Sequence, residues 1–293
     1  LEIRPASGDL HHQFQSLEDF VGHIDNFGYY GGIRLIKAAI KRFHHWNLER
    51  NTLHGKNFSV EYRTNIPRSV GLAGSSAIVT ATLRSLQRFY NVGIPKDVLA
   101  SLTLSVEKDL LGISAGLMDR VVQATEGVVF MDFSSEAMHE KMDVQVGAYE
   151  SLSRSECESR LYLAWADQAA EPTEVLHNRL RERFLRGDED VVRAMNQFAA
   201  IAEQGREAMD TNHHELFSSL IDANFDLRAS ICQLPNLHRR MVELARQSGA
   251  SAKFCGSGGA IIGTVPDSMV FDKLKTALAA IGCVVIRPVI RAD

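Results

Sequence analysis

Serine hydroxyls beside flexible glycines can cradle an oxyanion, and Pro67-Arg-Ser-Val-Gly-Leu-Ala-Gly-Ser-Ser-Ala77 holds both in one short string. Before it, Phe58-Ser-Val-Glu-Tyr-Arg63 alternates apolar and polar residues, which predicts a half-buried strand. After it, Val79, Leu83, Leu86 and Tyr90 recur at helical spacing. The string therefore ends at a helix N-terminus, where unpaired backbone N–H groups and the positive end of the macrodipole favour an anion. Gly71 and Gly74 permit close backbone approach. Ser75 and Ser76 add hydroxyls that can reach a phosphate or a metal ion. A glycine-rich turn with Ser as N-cap would account for a single Gly-Ser pair, but not for the whole string. No Gly-Lys-Ser/Thr follows at the Walker spacing, so this is not a P-loop.

The string resembles the phosphate loop of the GHMP kinases (galactokinase, homoserine kinase, mevalonate kinase, phosphomevalonate kinase), which runs Pro, a few residues, Gly-Leu, a small residue, Ser-Ser-Ala. Two further stretches fit that superfamily in the expected order: Glu107-Lys-Asp-Leu-Leu-Gly-Ile-Ser-Ala-Gly-Leu-Met-Asp-Arg120 and Lys253-Phe-Cys-Gly-Ser-Gly-Gly-Ala260. Within it the chain is most similar to the glucuronokinases. That likeness rests on Gly28-Tyr-Tyr-Gly-Gly-Ile-Arg34, Asn65-Ile-Pro-Arg68, Gly71-Leu-Ala-Gly-Ser-Ser-Ala-Ile-Val79 and Ala115-Gly-Leu-Met-Asp-Arg120. It also rests on Phe133 in a Met-Asp-Phe-Ser stretch and on Ala252-Lys-Phe-Cys-Gly-Ser-Gly-Gly-Ala260. The loop carries one more residue between Gly-Leu and Ser-Ser than that of mevalonate kinase, a detail shared with glucuronokinase. The likeness extends from about Leu1 to the C-terminus.

The resemblance implies ATP-dependent phosphorylation of an alcohol, with D-glucuronate giving glucuronate 1-phosphate. Other acceptors remain open (galactose, arabinose, galacturonate or mevalonate), as does a non-catalytic sugar- or nucleotide-binding paralogue. It implies that Asp119 takes or orients the proton of the attacking hydroxyl, and that Ser76 and Glu107 ligate Mg²⁺, which needs few protein oxygens. Pro67, Gly71, Leu72, Ala73, Gly74, Ser75, Ser76 and Ala77 would then hold the phosphates of ATP. Read without the family, Asp119 could be a helix N-cap and Glu107 a polar residue on a helix over 97–111. Gly256, Ser257, Gly258 and Gly259 would shape the cleft, or else form a β-turn. Tyr29 and Tyr30 could face the sugar. Its carboxylate calls for an Arg, which pairs bidentately with it, and Arg34, Arg68 and Arg120 all lie in family-like strings. One departure stands out: where glucuronokinases tend to carry a Ser/Gly-rich loop with a Lys, this chain has Ala166-Asp-Gln-Ala-Ala-Glu-Pro-Thr-Glu174, with Thr173 as the available hydroxyl.

Composition is compatible with such an enzyme. Hydrophobic residues make up 45% and charged residues 23%, enough for an ordinary globular core. A net charge of −4 lacks the basic face that nucleic-acid or membrane-surface binding requires, so an anionic substrate needs local cations. No apolar run reaches membrane-spanning length, and a cytoplasmic protein is expected. Cys157, Cys232, Cys255 and Cys283 are scattered, form no zinc pattern, and are expected reduced. The adjacent pairs His11-His12, His44-His45 and His213-His214 lack the i, i+4 spacing that puts two ligands on one helix face. No oligomeric state can be assigned from the sequence.

Elements must position these residues. Amphipathic helices are predicted around Val191, Met195 and Phe198, around Leu216, Leu220, Ala223 and Leu227, and around Leu237, Met241 and Leu244. Strands are predicted over 160–165, 260–265 and 283–289. Residues 134–157 read as polar and irregular, the crossing between two lobes. The expected fold class is α+β. Two lobes follow from the resemblance: 1–150, ribosomal-protein-S5-like and ATP-binding with the phosphate loop, and 151–293, ferredoxin-like. The active site is expected in the cleft between them. The family begins with a strand and a motif carrying a basic residue near the transferred phosphate. That strand is expected in a segment before Leu1, because a sheet lacking a central strand would bury an unpaired ladder edge.

Overall fold

The computed structural model describes residues 1–4, 12–29, 31, 33–152, 159–166, 174–256 and 258–290, with the backbone alone described over 174–179. Packing divides the chain into two units. One comprises Leu1–Ile66 with Ala73–Ser151, and the other Pro67–Leu72 with Leu152–Arg291.

In the first unit, β1 (Glu2–Arg4) pairs antiparallel with β2 (His12–Gln13) and parallel with β3 (Ser59–Glu61), with Ile3 opposite Val60. Helices α1 (Leu17–Phe27), α2 (Arg34–Asn47), α3 (Gly74–Tyr90), α4 (Lys96–Ser105) and α5 (Met118–Thr125) supply most of the core. Val79, Leu83, Leu86 and Tyr90 all point inward from α3, as their spacing requires. Asn91 ends that helix in the left-handed conformation, its N–H bonded to the Gln87 carbonyl. The helix expected over 97–111 is interrupted. After Ser105 the backbone widens into a π-turn, Val106–Leu110, which turns Glu107 fully into the interior. Residues 134–152 are more regular than their polarity suggests. Strands β4 (Val128–Asp132), β5 (His139–Lys141), β6 (Val144–Val146) and β7 (Ala148–Leu152) form two small antiparallel or paired ribbons, β5–β6 and β4–β7. Residues 153–158 lie outside the described residues.

In the second unit, β8 (Leu161–Ala166), β9 (Lys253–Phe254), β10 (Ala260–Thr264) and β11 (Cys283–Ile286) form an antiparallel sheet in the order β11-β8-β10-β9. The expected strands are all present, to within a few residues at their ends. Helices α6 (Glu174–Leu185), α7 (Glu189–Asp210), α8 (His214–Ile231), α9 (Asn236–Gln247) and α10 (Ser268–Ala279) accompany it. Tyr162, Phe225, Met241, Ile261, Leu274 and Leu278 centre its core. Among the described residues no helix is long and apolar enough to cross a membrane.

Gly263 in β10 shows how tightly this unit is built. A Cβ there would lie 1.8 Å from the Ser251 carbonyl oxygen and 2.9 Å from the Tyr162 ring. That carbonyl also accepts the buried Tyr162 hydroxyl at 2.8 Å. Gly263→Ala must therefore displace backbone, and is expected to destabilise by about 2 kcal/mol or more. Chemical denaturation of the purified variant checks this.

Candidate active site

The phosphate-loop string enters α3 through Ala73, which holds φ 51° and ψ 35°, a left-handed conformation that a residue with a Cβ rarely adopts. The helix starts without a side-chain cap and without an acidic residue in its first turn. Its first N–H groups, which have no intrahelical partner, are thereby left to a ligand. Three groups converge on the Ala73 carbonyl: the Ala77 N–H at 3.1 Å, the Ser76 Oγ at 3.0 Å and the Gln123 Nε2 at 3.1 Å.

Ser75, not Ser76, meets Glu107. Ser75 Oγ donates to Glu107 Oε1 at 2.7 Å, while Ser76 is fully buried and turned back on its own helix. The Glu107 carboxylate is itself fully buried. Its other oxygen, Oε2, accepts from Arg120 Nε at 2.8 Å and Nη2 at 2.5 Å. The remaining arm of that guanidinium, Nη1, donates to the Gly116 carbonyl at 3.0 Å and reaches Asp119 Oδ2 at 3.3 Å. Arg120, one of three candidates for a substrate carboxylate, is thus committed to Glu107. Arg34 and Arg68 stand exposed.

Asp119 lies in the first turn of α5, whose N-cap is Leu117, so Asp119 is not the cap. The helix dipole favours its negative charge there. Its side chain keeps 44% of its accessible surface, against none for Glu107, so of these two carboxylates it is the one a substrate can reach.

The donor set suits a small hard cation. Neighbouring oxygens of an octahedral Mg²⁺ shell lie about 2.9 Å apart, given Mg–O distances of ~2.0–2.1 Å. Ser75 Oγ and Glu107 Oε1 are 2.7 Å apart. Among the described residues no group of three or more His, Cys, Asp or Glu gathers at one point. One carboxylate oxygen and a loop hydroxyl would leave the rest of such a shell to phosphate and water.

Gly71 and the C-terminal glycine string meet directly in the second unit. A Cβ on Gly71, at φ 77°, would lie 2.0 Å from the Gly258 carbonyl oxygen. Gly258, at φ 140°, in turn abuts His238, whose Nδ1 would lie 2.9 Å from an added Cβ. Arg228 on α8 donates to the Gly256 carbonyl at 2.6 Å and stacks 5.3 Å from the Phe254 ring centre, and burial pulls its pKa down. Arg228, His238 and Gln123 were not singled out by sequence reasoning. Gln123 follows Arg120 by three residues, the spacing that puts both on one face of α5. Tyr29 packs against the core of the first unit, 5.6 Å from Lys41 Nζ, and burial raises the pKa of its hydroxyl. Tyr30, Ser257, Thr173 and Cys157 lie outside the described residues.

The GHMP kinases N-terminal domain family matches residues 34–127. Glucuronokinase 1 of Arabidopsis thaliana is 42% identical over 262 residues, 87% of this chain and 70% of the relative. The plant's probable glucuronokinase 2 is 43% identical over 263 residues, with the same coverage. The crystal structure of Lactococcus lactis galactokinase complexed with galactose superposes with a TM-score of 0.74 at 16% identity, covering 99% of this chain and 82% of that one. At that identity the likeness is one of fold.

Arg120→Met would leave the Glu107 carboxylate buried without its cation, at a cost of about 3–5 kcal/mol. Urea unfolding is expected to show that loss, and a smaller one for Arg120→Met in a Glu107→Gln background. Gly71→Ala is expected to weaken Mg·ATP binding by about tenfold or more, because the loop cannot keep its place against Gly258. Nucleotide titration by calorimetry reads this directly.

Proposed function

The chain belongs to the GHMP kinase family, and from that premise we propose that it is a Mg²⁺- and ATP-dependent sugar kinase that converts D-glucuronate and ATP into glucuronate 1-phosphate and ADP. The observation that carries this reading is the bonded series Ser75–Glu107–Arg120–Asp119. It links an accessible carboxylate to the head of α3, the helix proposed to receive phosphate. The names of the two plant relatives, at 42% and 43% identity, support glucuronate as the acceptor.

Each residue then has a task. The α3 N-terminus and the backbone of residues 71–77 receive the phosphates. Glu107 Oε1 and the Ser75 hydroxyl would be the protein ligands for Mg²⁺, which requires the Ser75 hydroxyl bonded to the buried carboxylate to turn aside, with Ser76 supporting the loop by its bond to the Ala73 carbonyl. When bound, the metal ion neutralises charge on the transferring phosphoryl group. Asp119 accepts the proton of the anomeric hydroxyl, or orients that hydroxyl for attack. Arg120 orients the Asp119 carboxylate by its contact at 3.3 Å. Gly258 brings its carbonyl up to Gly71 with no room for a side chain between them. The protein acts in the cytoplasm on small molecules.

ADP release with Mg·ATP, measured against glucuronate, galacturonate, galactose, arabinose and mevalonate, tests the reading. Turnover is expected on glucuronate. Asp119→Asn is expected to keep nucleotide binding while kcat falls on the order of 10²–10⁴-fold with little change in KM. Turnover confined to another acceptor would replace the substrate and keep the kinase. ATP binding without turnover on any acceptor would favour a binding paralogue.

A further inference from the structure

The head of α3 raises a physical question. A left-handed Ala at the head of a helix is unfavourable by itself, so something must hold it. Gln123 on α5 is placed to do so. Its Nε2 donates to the Ala73 carbonyl at 3.1 Å, and its Oε1 accepts from Thr80 Oγ1 at 3.4 Å. Thr80 in turn pairs with Thr103 Oγ1 at 3.3 Å, both being buried. The amide orientation is fixed by chemistry, since a carbonyl oxygen can only accept and must face the nitrogen. A bond to the Ala73 carbonyl fixes the peptide plane between Ala73 and Gly74. That plane sets where the Gly74 N–H, the first of the phosphate-facing donors, points.

We propose that Gln123 is a positioning residue for nucleotide phosphate, clamping Ala73 in its left-handed conformation so that the first turn of α3 is preformed for the anion. Gln123 makes its hydrogen bonds to the Ala73 carbonyl and Thr80. It acts through Ala73, as Arg120, one turn earlier on the same helix, acts on Glu107. α5 thus carries one reactive residue, Asp119, and two that hold the partners of that residue in place. The inference rests on the reading of residues 71–77 as a phosphate cradle, and does not depend on the sugar acceptor.

The test is a double-mutant cycle read by calorimetric affinity for Mg·ATP. Gln123→Met keeps the length of the side chain and removes its hydrogen bonds. In the Ala73 protein it is expected to weaken Mg·ATP binding about tenfold. In an Ala73→Gly background the same change is expected to cost about threefold or less, because glycine enters the left-handed region without a clamp. An effect within about twofold in the Ala73 protein, or an equal loss in both backgrounds, overturns the proposal. A merely structural Gln123 would lower the melting temperature and leave the affinity of the folded protein unchanged. Should Gln123→Met not fold, Gln123→Leu gives the same comparison, since it also removes both hydrogen bonds and adds no charge. Because the readout is nucleotide binding, it remains informative if glucuronate proves not to be the acceptor. If the parent protein does not bind Mg·ATP, the phosphate-cradle reading itself fails.

Discussion

A fully buried carboxylate must be neutralised where it stands, and in this protein that requirement ties the site together. Glu107 has no accessible surface, and Arg120 answers it with two donors on one oxygen while Ser75 answers the other. Desolvation makes each partner costly to remove. The pair therefore fixes three elements relative to one another: the π-turn that carries Glu107, the first turn of α5, and the first turn of α3. Asp119 inherits its place from this arrangement, because it adjoins Arg120 in sequence and touches its third arm. The same commitment engages every nitrogen of the Arg120 guanidinium.

Backbone geometry imposes a second constraint, independent of charge. The loop uses a positive φ at Gly71 and again at Ala73, and the two positions solve different problems. At Gly71 the neighbouring Gly258 carbonyl leaves no room for a side chain. At Ala73 a Cβ is tolerated, and the cost of the conformation is offset by hydrogen bonds to its carbonyl. A net negative protein can still bind a polyanion with such parts. Oriented N–H groups and a helix end supply the local positive potential that the overall charge of −4 does not.

The sequence by itself determined the family and most of the elements. The Gly-Leu-Ala-Gly-Ser-Ser-Ala string, the Leu-Met-Asp-Arg string and the late Gly-Ser-Gly-Gly string carry the likeness to kinases. Hydrophobic spacing located α3, the helices α7 to α9 and the strands β8, β10 and β11, because burying one face at a period of 3.6 or 2 is written directly in residue order. Tertiary structure alone decided the rest. Periodicity cannot register a π-turn, so the inward rotation of Glu107 was invisible. The pattern of residues 134–157 was too polar to announce the short strands β5 to β7. Ser75 and Ser76 are equivalent in composition, and the direction each hydroxyl takes depends on what α4, its π-turn and α5 present to it. Arg34, Arg68 and Arg120 are equivalent candidates in sequence, and only packing pairs Arg120 with Glu107, thirteen residues away. Gln123 and the left-handed Ala73 went unmarked for the same reason: a hydrogen bond between residues 50 apart leaves no local signature. Sequence order encodes what a segment buries, whereas which polar groups meet is settled only when separate segments are packed and each buried donor must find an acceptor.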